Sequence, residues 1–431
     1  MSQAEERTAV TPLGAVALAW LITSIYYFYQ YAMRSAPAVM VPEMSAAFGL
    51  TPVGIASLIG LFYYAYAPFS LVAGVAMDQL GPRKVVPIGA ATVAVGALMF
   101  ATGDPTLASI GRFLQGAGGV FALIGAVYIA TTHFPATKAA TLIGATQMFG
   151  MAGGSAGQFV VGPAIAGGLG WDDFWWLMGL AGIPIAVLLF LFIPKREAKP
   201  AQAGPRHNWL KDAGSAMWTV FRNPQSIICG LISGLMFIPT TIFDMVWGVR
   251  FLQEGHGMPY DVAVLRSAAV PFGWIIGCPL LGWISDRIGQ RKPVIICAAA
   301  VLLGAMALGL YGPPGLLPPF TIALVAGIAS GAAMIPYTVI KEANRPEHSG
   351  TATGVINFVN FSFSALLGPL FAARLMRISG GDDRVLGDYQ ATFVPMLFGI
   401  GLAILLTFLL RETGARTRAP QISTQPLTEA P

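Results

Sequence analysis

Charge is scarce in this sequence. Asp, Glu, Lys and Arg make up 10% of 431 residues, whereas a soluble domain carries about 25%. A chain this poor in charge has too little polar surface to stay monomeric in water, so lipid is the simpler solvent. Cysteine is nearly absent. Cys229, Cys278 and Cys297 all lie in apolar stretches, spaced for neither a metal site nor a disulfide framework, and read as small buried hydrophobes. The histidines are His133, His207, His256 and His348, all in loops or at helix ends. No Ser-His-Asp set, acid–base pair or metal cluster is legible, which argues against an enzyme and against a bound metal or cofactor. No phosphate-cradling glycine loop occurs, so ATP hydrolysis is not expected as a driving force. The net charge of +5 is spread out, with no basic run interleaved with aromatics, so nucleic acid is not an expected partner. The N-terminus, with Glu5, Glu6 and Arg7, does not read as a cleavable signal peptide; the first apolar run is long and should remain as a helix.

What the chain has instead is apolar length. Hydrophobic residues make up 55%, with Gly 51 and Pro 31, both tolerated in membrane helices. Runs near the ~20 residues a spanning helix needs fall at roughly 13–40, 52–75, 83–102, 106–131, 139–167 and 172–194. After a polar interruption they resume at roughly 225–252, 261–284, 292–311, 318–341, 350–376 and 389–410. The expected fold is an all-α polytopic membrane protein of twelve spans in two six-helix bundles, 13–194 and 225–410. Residues 1–12 read as a tail, 195–224 as a linker and 411–431 as a disordered, Pro- and Thr-rich tail. Placing both termini in the cytoplasm puts most Lys and Arg there, including the dense set Lys195, Arg196, Lys199, Arg206, Lys211 and Arg222, as the positive-inside rule prefers.

Two segments repeat. Gly74-Val-Ala-Met-Asp78-Gln-Leu-Gly81-Pro-Arg83-Lys84 and Gly282-Trp-Ile-Ser-Asp286-Arg-Ile-Gly289-Gln-Arg291-Lys292 align residue for residue, 208 positions apart, each after the second helix of its half. Such a duplication implies halves related by a pseudo-two-fold axis along the membrane normal. Asp78 and Asp286 sit at helix ends, where Arg83 and Arg291 can pair with them or with a neighbouring helix end. Alternatively, the basic loop only fixes topology.

The pattern G-x-x-x-D-x-x-G-x-R-K between spans 2 and 3, with its second copy between spans 8 and 9, resembles the signature loop of the major facilitator superfamily. The Arg112-Phe-Leu-Gln115-Gly116 run in span 4 resembles another of its motifs. The resemblance covers about 13–410. It implies a bacterial inner-membrane transporter working by alternating access, with Gly74, Asp78, Gly81, Arg83, Gly282, Asp286, Gly289 and Arg291 forming a latch that holds the outward-facing state.

Candidate ligand groups cluster in span 1. Thr23, Tyr27, Gln30 or Tyr31, and Arg34 share a face at helical spacing. A guanidinium at this depth is costly unless it meets water, an acid or an anion, and its planar fork suits carboxylate or phosphate. Tyr63, Tyr64 and Tyr66 of span 2 are placed to line the same cavity. The run from Tyr27 to Pro42 resembles helix 1 of the organophosphate and anion:cation symporter branches, where an arginine binds the substrate anion. The second binding arginine of the organophosphate branch, expected near Thr241, is missing, which favours a carboxylate over a phosphate ester. Asp244 in span 7 lies near Arg34's depth by the 208-residue offset. It is a candidate to carry a coupling proton, to pair with Arg34, or to bind a cation. Asn357 and Asn360 in span 11 are further candidates for the cavity, as are Gln147 and Gln158 in span 5 and Gln115 and Tyr128 in span 4; the alternative for each is helix–helix glue.

The leading reading is therefore a monomeric secondary transporter of a small organic anion, with protons as the candidate coupling ion and the lipid bilayer as its surroundings. The glycines of span 5 resemble, with one residue too many, the Gly-Pro motif of drug antiporters, so a drug or metallophore exporter is the second reading. A transporter-like sensor without flux is the third.

Overall fold

The computed structural model describes residues 13–194, 209–312, 319–380 and 384–416. The expected tail 1–12, most of the linker (195–208) and residues 417–431 lie outside them. Among the described residues no strand forms.

In chain order the long helices are α1 (Leu13–Ser35), α2 (Pro52–Leu80), α3 (Pro82–Ala101), α4 (Pro105–His133), α5 (Ala139–Phe159) and α6 (Trp171–Phe192). The second half holds α7 (Pro224–Ile238, continued by a π-helical stretch Pro239–Gly248), α8 (Ala269–Ile288) and α9 (Lys292–Tyr311). It closes with α10 (Pro319–Ser330, resumed at Ile335–Glu342), α11 (Ser349–Ser379) and α12 (Leu386–Leu409). Starts are set by local chemistry. Pro occupies the first helical turn of α2, α3, α4 and α7, where its missing N–H costs nothing. Asp104 accepts from the N–H groups of Thr106 and Leu107, and Asn223 from that of Gln225.

Eleven helices among the described residues are long and apolar enough to cross a membrane. The span predicted at 139–167 is not among them. It is present as α5, but Thr141, Gln147, Gln158 and five glycines dilute its hydropathy, and the helix breaks at Val160 before a short turn Val161–Ala166. The glycines have a packing reason. A Cβ at Gly150 would strike the Tyr27 ring, and one at Gly153 or Gly157 would strike the backbone of α1 at Phe28 or Ala32. So α5 lies tightly against α1, and the glycine row follows from close helix approach. Peripheral faces carry exposed Leu177, Leu180, Leu191, Phe398 and Leu405, as hydrocarbon solvent requires.

The polar linker is not wholly irregular. Residues Trp209–Arg222 form an amphipathic helix before α7. The expected loose tail is fixed at its start. The Glu412 carboxylate accepts from the N–H groups of Arg291 and Lys292 at 2.7 and 3.0 Å, capping the start of α9, and the Arg416 N–H donates to the Gly289 carbonyl at 3.1 Å. The acid at position 412 decides this, because it finds unsatisfied donors at a helix N-terminus.

The two halves meet along two helix pairs, α2 with α11 and α5 with α8. Each contact is backbone on backbone. A Cβ at Gly74 would lie 2.6 Å from the Gly350 carbonyl oxygen, and one at Gly282 or Gly144 would overlap the backbone at Ala140 or Cys278. Pseudo-symmetry is thus visible in the packing itself.

Candidate functional site

At the same end of these pairs, the repeated loops do matching chemistry across the two halves. The Asp78 carboxylate accepts from the N–H groups of Gly350 and Thr351 and from the Thr351 hydroxyl, all at 2.7 Å, at the start of α11. The Asp286 carboxylate accepts from the N–H and hydroxyl of Thr141, both at 2.8 Å, and more distantly from the Ala140 N–H, at the start of α5. A carboxylate at a helix N-terminus meets both free donors and the positive end of the dipole. Each half therefore caps a helix of the other.

The arginines of the two loops part company. Arg291, itself buried, pairs with Asp286 at 2.6 Å and with Glu342 at 3.0 Å, both partly buried. Burial pulls its guanidinium down, but hydrogen bonds and charge from Glu342 and Asp286 more than offset this and raise it, so it stays charged. Arg83 instead donates to the Ile193 carbonyl at the end of α6, at 3.2 Å, and lies over the Phe190 ring. Gly81 and Gly289 both hold positive φ, 79° and 68°, where a side chain would be strained. A further tie crosses the halves here: the Lys341 ammonium donates to the Val127 carbonyl at 3.1 Å and to the Thr131 hydroxyl.

Arg34 sits in the last turn of α1, 8% exposed. Its Nε donates to the Tyr63 hydroxyl at 3.2 Å. Its guanidinium carbon lies 4.6 Å from the Tyr31 ring, 4.8 Å from Tyr63, 5.0 Å from Phe361, and 5.8 Å from both Phe62 and Tyr66. Phe361 comes from α11, so the cage closes across the halves. Nη1 is buried with no hydrogen-bond partner, and among the described residues no carboxylate pairs with this arginine. Cation–π contacts return about 0.5–2 kcal/mol each, while removing a guanidinium from water costs several kcal/mol. The cage offsets part of that cost, and a bound anion would offset the rest.

Beside it lies a second buried cation. Arg112 packs over Phe62, 5.3 Å from its guanidinium carbon, and donates through Nη1 to Gln115 Oε1 at 2.7 Å and to the Met33 carbonyl at 3.3 Å. Its Nε and Nη2 have no hydrogen-bond partner. The motif arginine thus ties α4 to the end of α1 and adds positive potential behind the cage.

The other predicted residues divide. Tyr31 and Tyr63 hold Arg34. The Tyr27 hydroxyl is spent on Gln147 Oε1 at 3.0 Å, inside the first half. Gln30 is buried against Gly119, with both amide atoms unpartnered. Asn357 donates to the Ser70 hydroxyl at 2.8 Å, across the halves, and accepts from the Tyr337 hydroxyl at 3.0 Å. Asn360 donates to that same hydroxyl at 3.4 Å, and its Oδ1 is free. Tyr64 leaves the cavity altogether: it is 69% exposed on the outer face, since neighbours in a helix point about 100° apart. Phe361, Phe62 and Ser70 were not legible as site residues, because an aromatic or a serine in an apolar run carries no signal of direction.

Asp244 is elsewhere. Its Oδ1 accepts from the Ser267 hydroxyl at 3.0 Å, and it lines a cavity walled entirely by the second half. It makes no ion pair with Arg34.

Residues 23–369 match the family model of the Major Facilitator Superfamily. The chain is 26% identical to the "MFS-type efflux pump" of Mycolicibacterium smegmatis over 59% of either chain, so that match spans little more than half of this relative. It is 23% identical to the "Probable sulfoacetate transporter SauU" of Cupriavidus necator over 84% of this chain and 87% of the relative. Among solved structures, the Escherichia coli fucose:proton symporter FucP superposes with a TM-score of 0.73 at 14% identity, over 93% of this chain and 99% of that one, a likeness of fold alone.

Proposed function

Because the chain belongs to the Major Facilitator Superfamily and is a multi-pass membrane transporter of that family, we propose that its cargo is a small organic anion, a carboxylate or sulfonate. The observation that carries this reading is the buried, carboxylate-free guanidinium of Arg34, with Nη1 left open inside an aromatic cage shared by both halves. Both acid classes present the planar or near-planar oxygen pair that a guanidinium fork matches. The Gln30 amide N–H is unspent for a second acid group, and Asn360 Oδ1 is unspent for a hydroxyl. The similarity to a protein named for sulfoacetate agrees with this.

Alternating access follows from the same parts. The cage, the Asn357–Ser70 bond and the two aspartate caps all cross the halves, so loading the cage and releasing the caps bear on one rocking motion. We place both termini in the cytoplasm of a bacterial inner membrane, with the latch on that side, from the distribution of Lys and Arg.

Counterflow in proteoliposomes tests the proposal. Vesicles preloaded with unlabelled sulfoacetate should transiently accumulate the labelled anion, and a ladder of short carboxylates should compete. Accumulation of a drug with no anion exchange would favour the exporter reading suggested by the efflux-pump similarity. Binding without any flux would mark a sensor.

A further inference from the structure

The cavity holding Asp244 is a second site, separate from the Arg34 cage. It encloses about 540 Å³ between α7, α8, α9 and α10, and every described residue lining it belongs to the second half. Neither Arg34 nor any of its cage rings contributes to its wall. That volume is typical of small-molecule pockets.

Unlike the Arg34 cage, it presents a carboxylate, with Arg266 elsewhere on its wall. The walls are apolar and aromatic, with Phe243, Phe251, Val270 and Met306 prominent. Among the described residues, one carboxylate and few other polar groups project into them. Asp244 is buried and accepts one hydrogen bond, from Ser267, leaving most of its acceptor capacity open. Among the described residues no Lys or Arg forms an ion pair with it. Ser330 also lines the cavity, 1% exposed, with its hydroxyl lacking any partner.

The backbone has been shaped to make this room. Residues Pro239–Gly248 run as π-helix and the segment Phe251–Gly255 does so again. Such turns are uncommon and concentrate at functional sites. The other ionisable groups on the wall are Arg266 and His256. The Arg266 guanidinium is directed onto the Met258 sulfur, at 2.6 Å. His256 lies against the Phe251 ring, 5.0 Å between centroids. Burial, and then the charge of Arg266, lower His256 from its ordinary value, so it is neutral at pH 7 and adds no repulsion.

We infer that this cavity binds a small apolar ammonium compound, its charged nitrogen on the Asp244 carboxylate, its body against Phe243 and Phe251. A carboxylate in apolar walls, with one hydrogen bond and no ion-pair partner among the described residues, selects an ammonium donor over a neutral hydroxyl. The aromatic faces add cation–π attraction and exclude strongly hydrated ions.

The test uses the full-length purified protein in detergent and 2-phenylethylamine as probe, with 2-phenylethanol as its neutral counterpart, read by isothermal titration calorimetry. The amine should bind saturably, and the alcohol about tenfold or more weakly. Asp244→Asn should weaken the amine by about tenfold or more and bring it level with the alcohol. Ala326→Phe, which fills the cavity from α10, should abolish amine binding with the carboxylate intact, and serves also where Asp244→Asn is not recovered as a monodisperse protein. Equal binding of amine and alcohol, amine binding that survives Ala326→Phe, or no amine binding by the unaltered protein would each overturn the assignment.

Discussion

Arg34→Gln should lower anion uptake into proteoliposomes by about 100-fold or more while the purified variant remains a monodisperse membrane protein. A charge-assisted hydrogen bond is worth about 1.5–3 kcal/mol, and a bidentate pair loses two. At about 1.4 kcal/mol per factor of ten, the loss exceeds two decades. The fold should tolerate the change, because among the described residues no carboxylate relies on this guanidinium and its one hydrogen bond goes to a tyrosine hydroxyl that glutamine can still reach. Arg34→Lys should fall between the two, raising KM more than it lowers the maximal rate, since an ammonium keeps the charge but not the fork. Were Arg34 a structural residue only, the glutamine variant would fail to purify, or would transport as well as the parent.

The second large effect concerns the loops. Asp78→Asn and Asp286→Asn, combined, should shift the protein toward the state in which the loop end is open. Each aspartate caps a helix of the other half, and a charged cap contributes about 1–2 kcal/mol. Two of them bias the state ratio by a factor of roughly 30 to several hundred. Double electron–electron resonance between spin labels at Lys138 and Glu347, in a Cys297→Ser background that removes the exposed native thiol, reads the separation. A longer-distance population should dominate in the double variant and be minor in the parent. Unchanged distance distributions would show that the caps do not hold the closed end.

These two sets of residues were not equally legible. The loop motif announced itself because it occurs twice in register, and duplicated chemistry at a fixed offset is rare by chance. Sequence could not say that the aspartates reach across to Gly350–Thr351 and Ala140–Thr141, because that contact depends on how the halves dock. It left open whether each arginine pairs with its own loop. Glu342 and Asp286 draw Arg291 inward, while Arg83 finds the end of α6.

Arg34 and its tyrosines were visible as a polar stripe in an apolar run, and Tyr31 and Tyr63 do hold the guanidinium. The closing face, Phe361, was silent. Asp244 illustrates a different limit. The 208-residue offset estimates depth along the membrane, but direction around a helix depends on residues per turn. Through Pro239–Gly248 the chain is π-helical, so a side chain there points where α-helical spacing would not send it. Asp244 turns toward Ser267 and the interior of the second half, away from Arg34. Hydropathy likewise read α5 as a span although its glycines and glutamines leave it outside the eleven that qualify on length and composition.

The most direct measurement is thermal stability of the purified protein and its Arg34→Gln variant against one panel of short carboxylates and sulfonates, sulfoacetate included. Ligands that bind the folded state raise its melting temperature, with the logarithm of their concentration relative to Kd. At least one anion should stabilise the parent, and that same anion should leave the variant's melting temperature unmoved. An anion that stabilises both to the same degree, or a parent that responds to none of them, would contradict the assignment of Arg34 as the anion's seat.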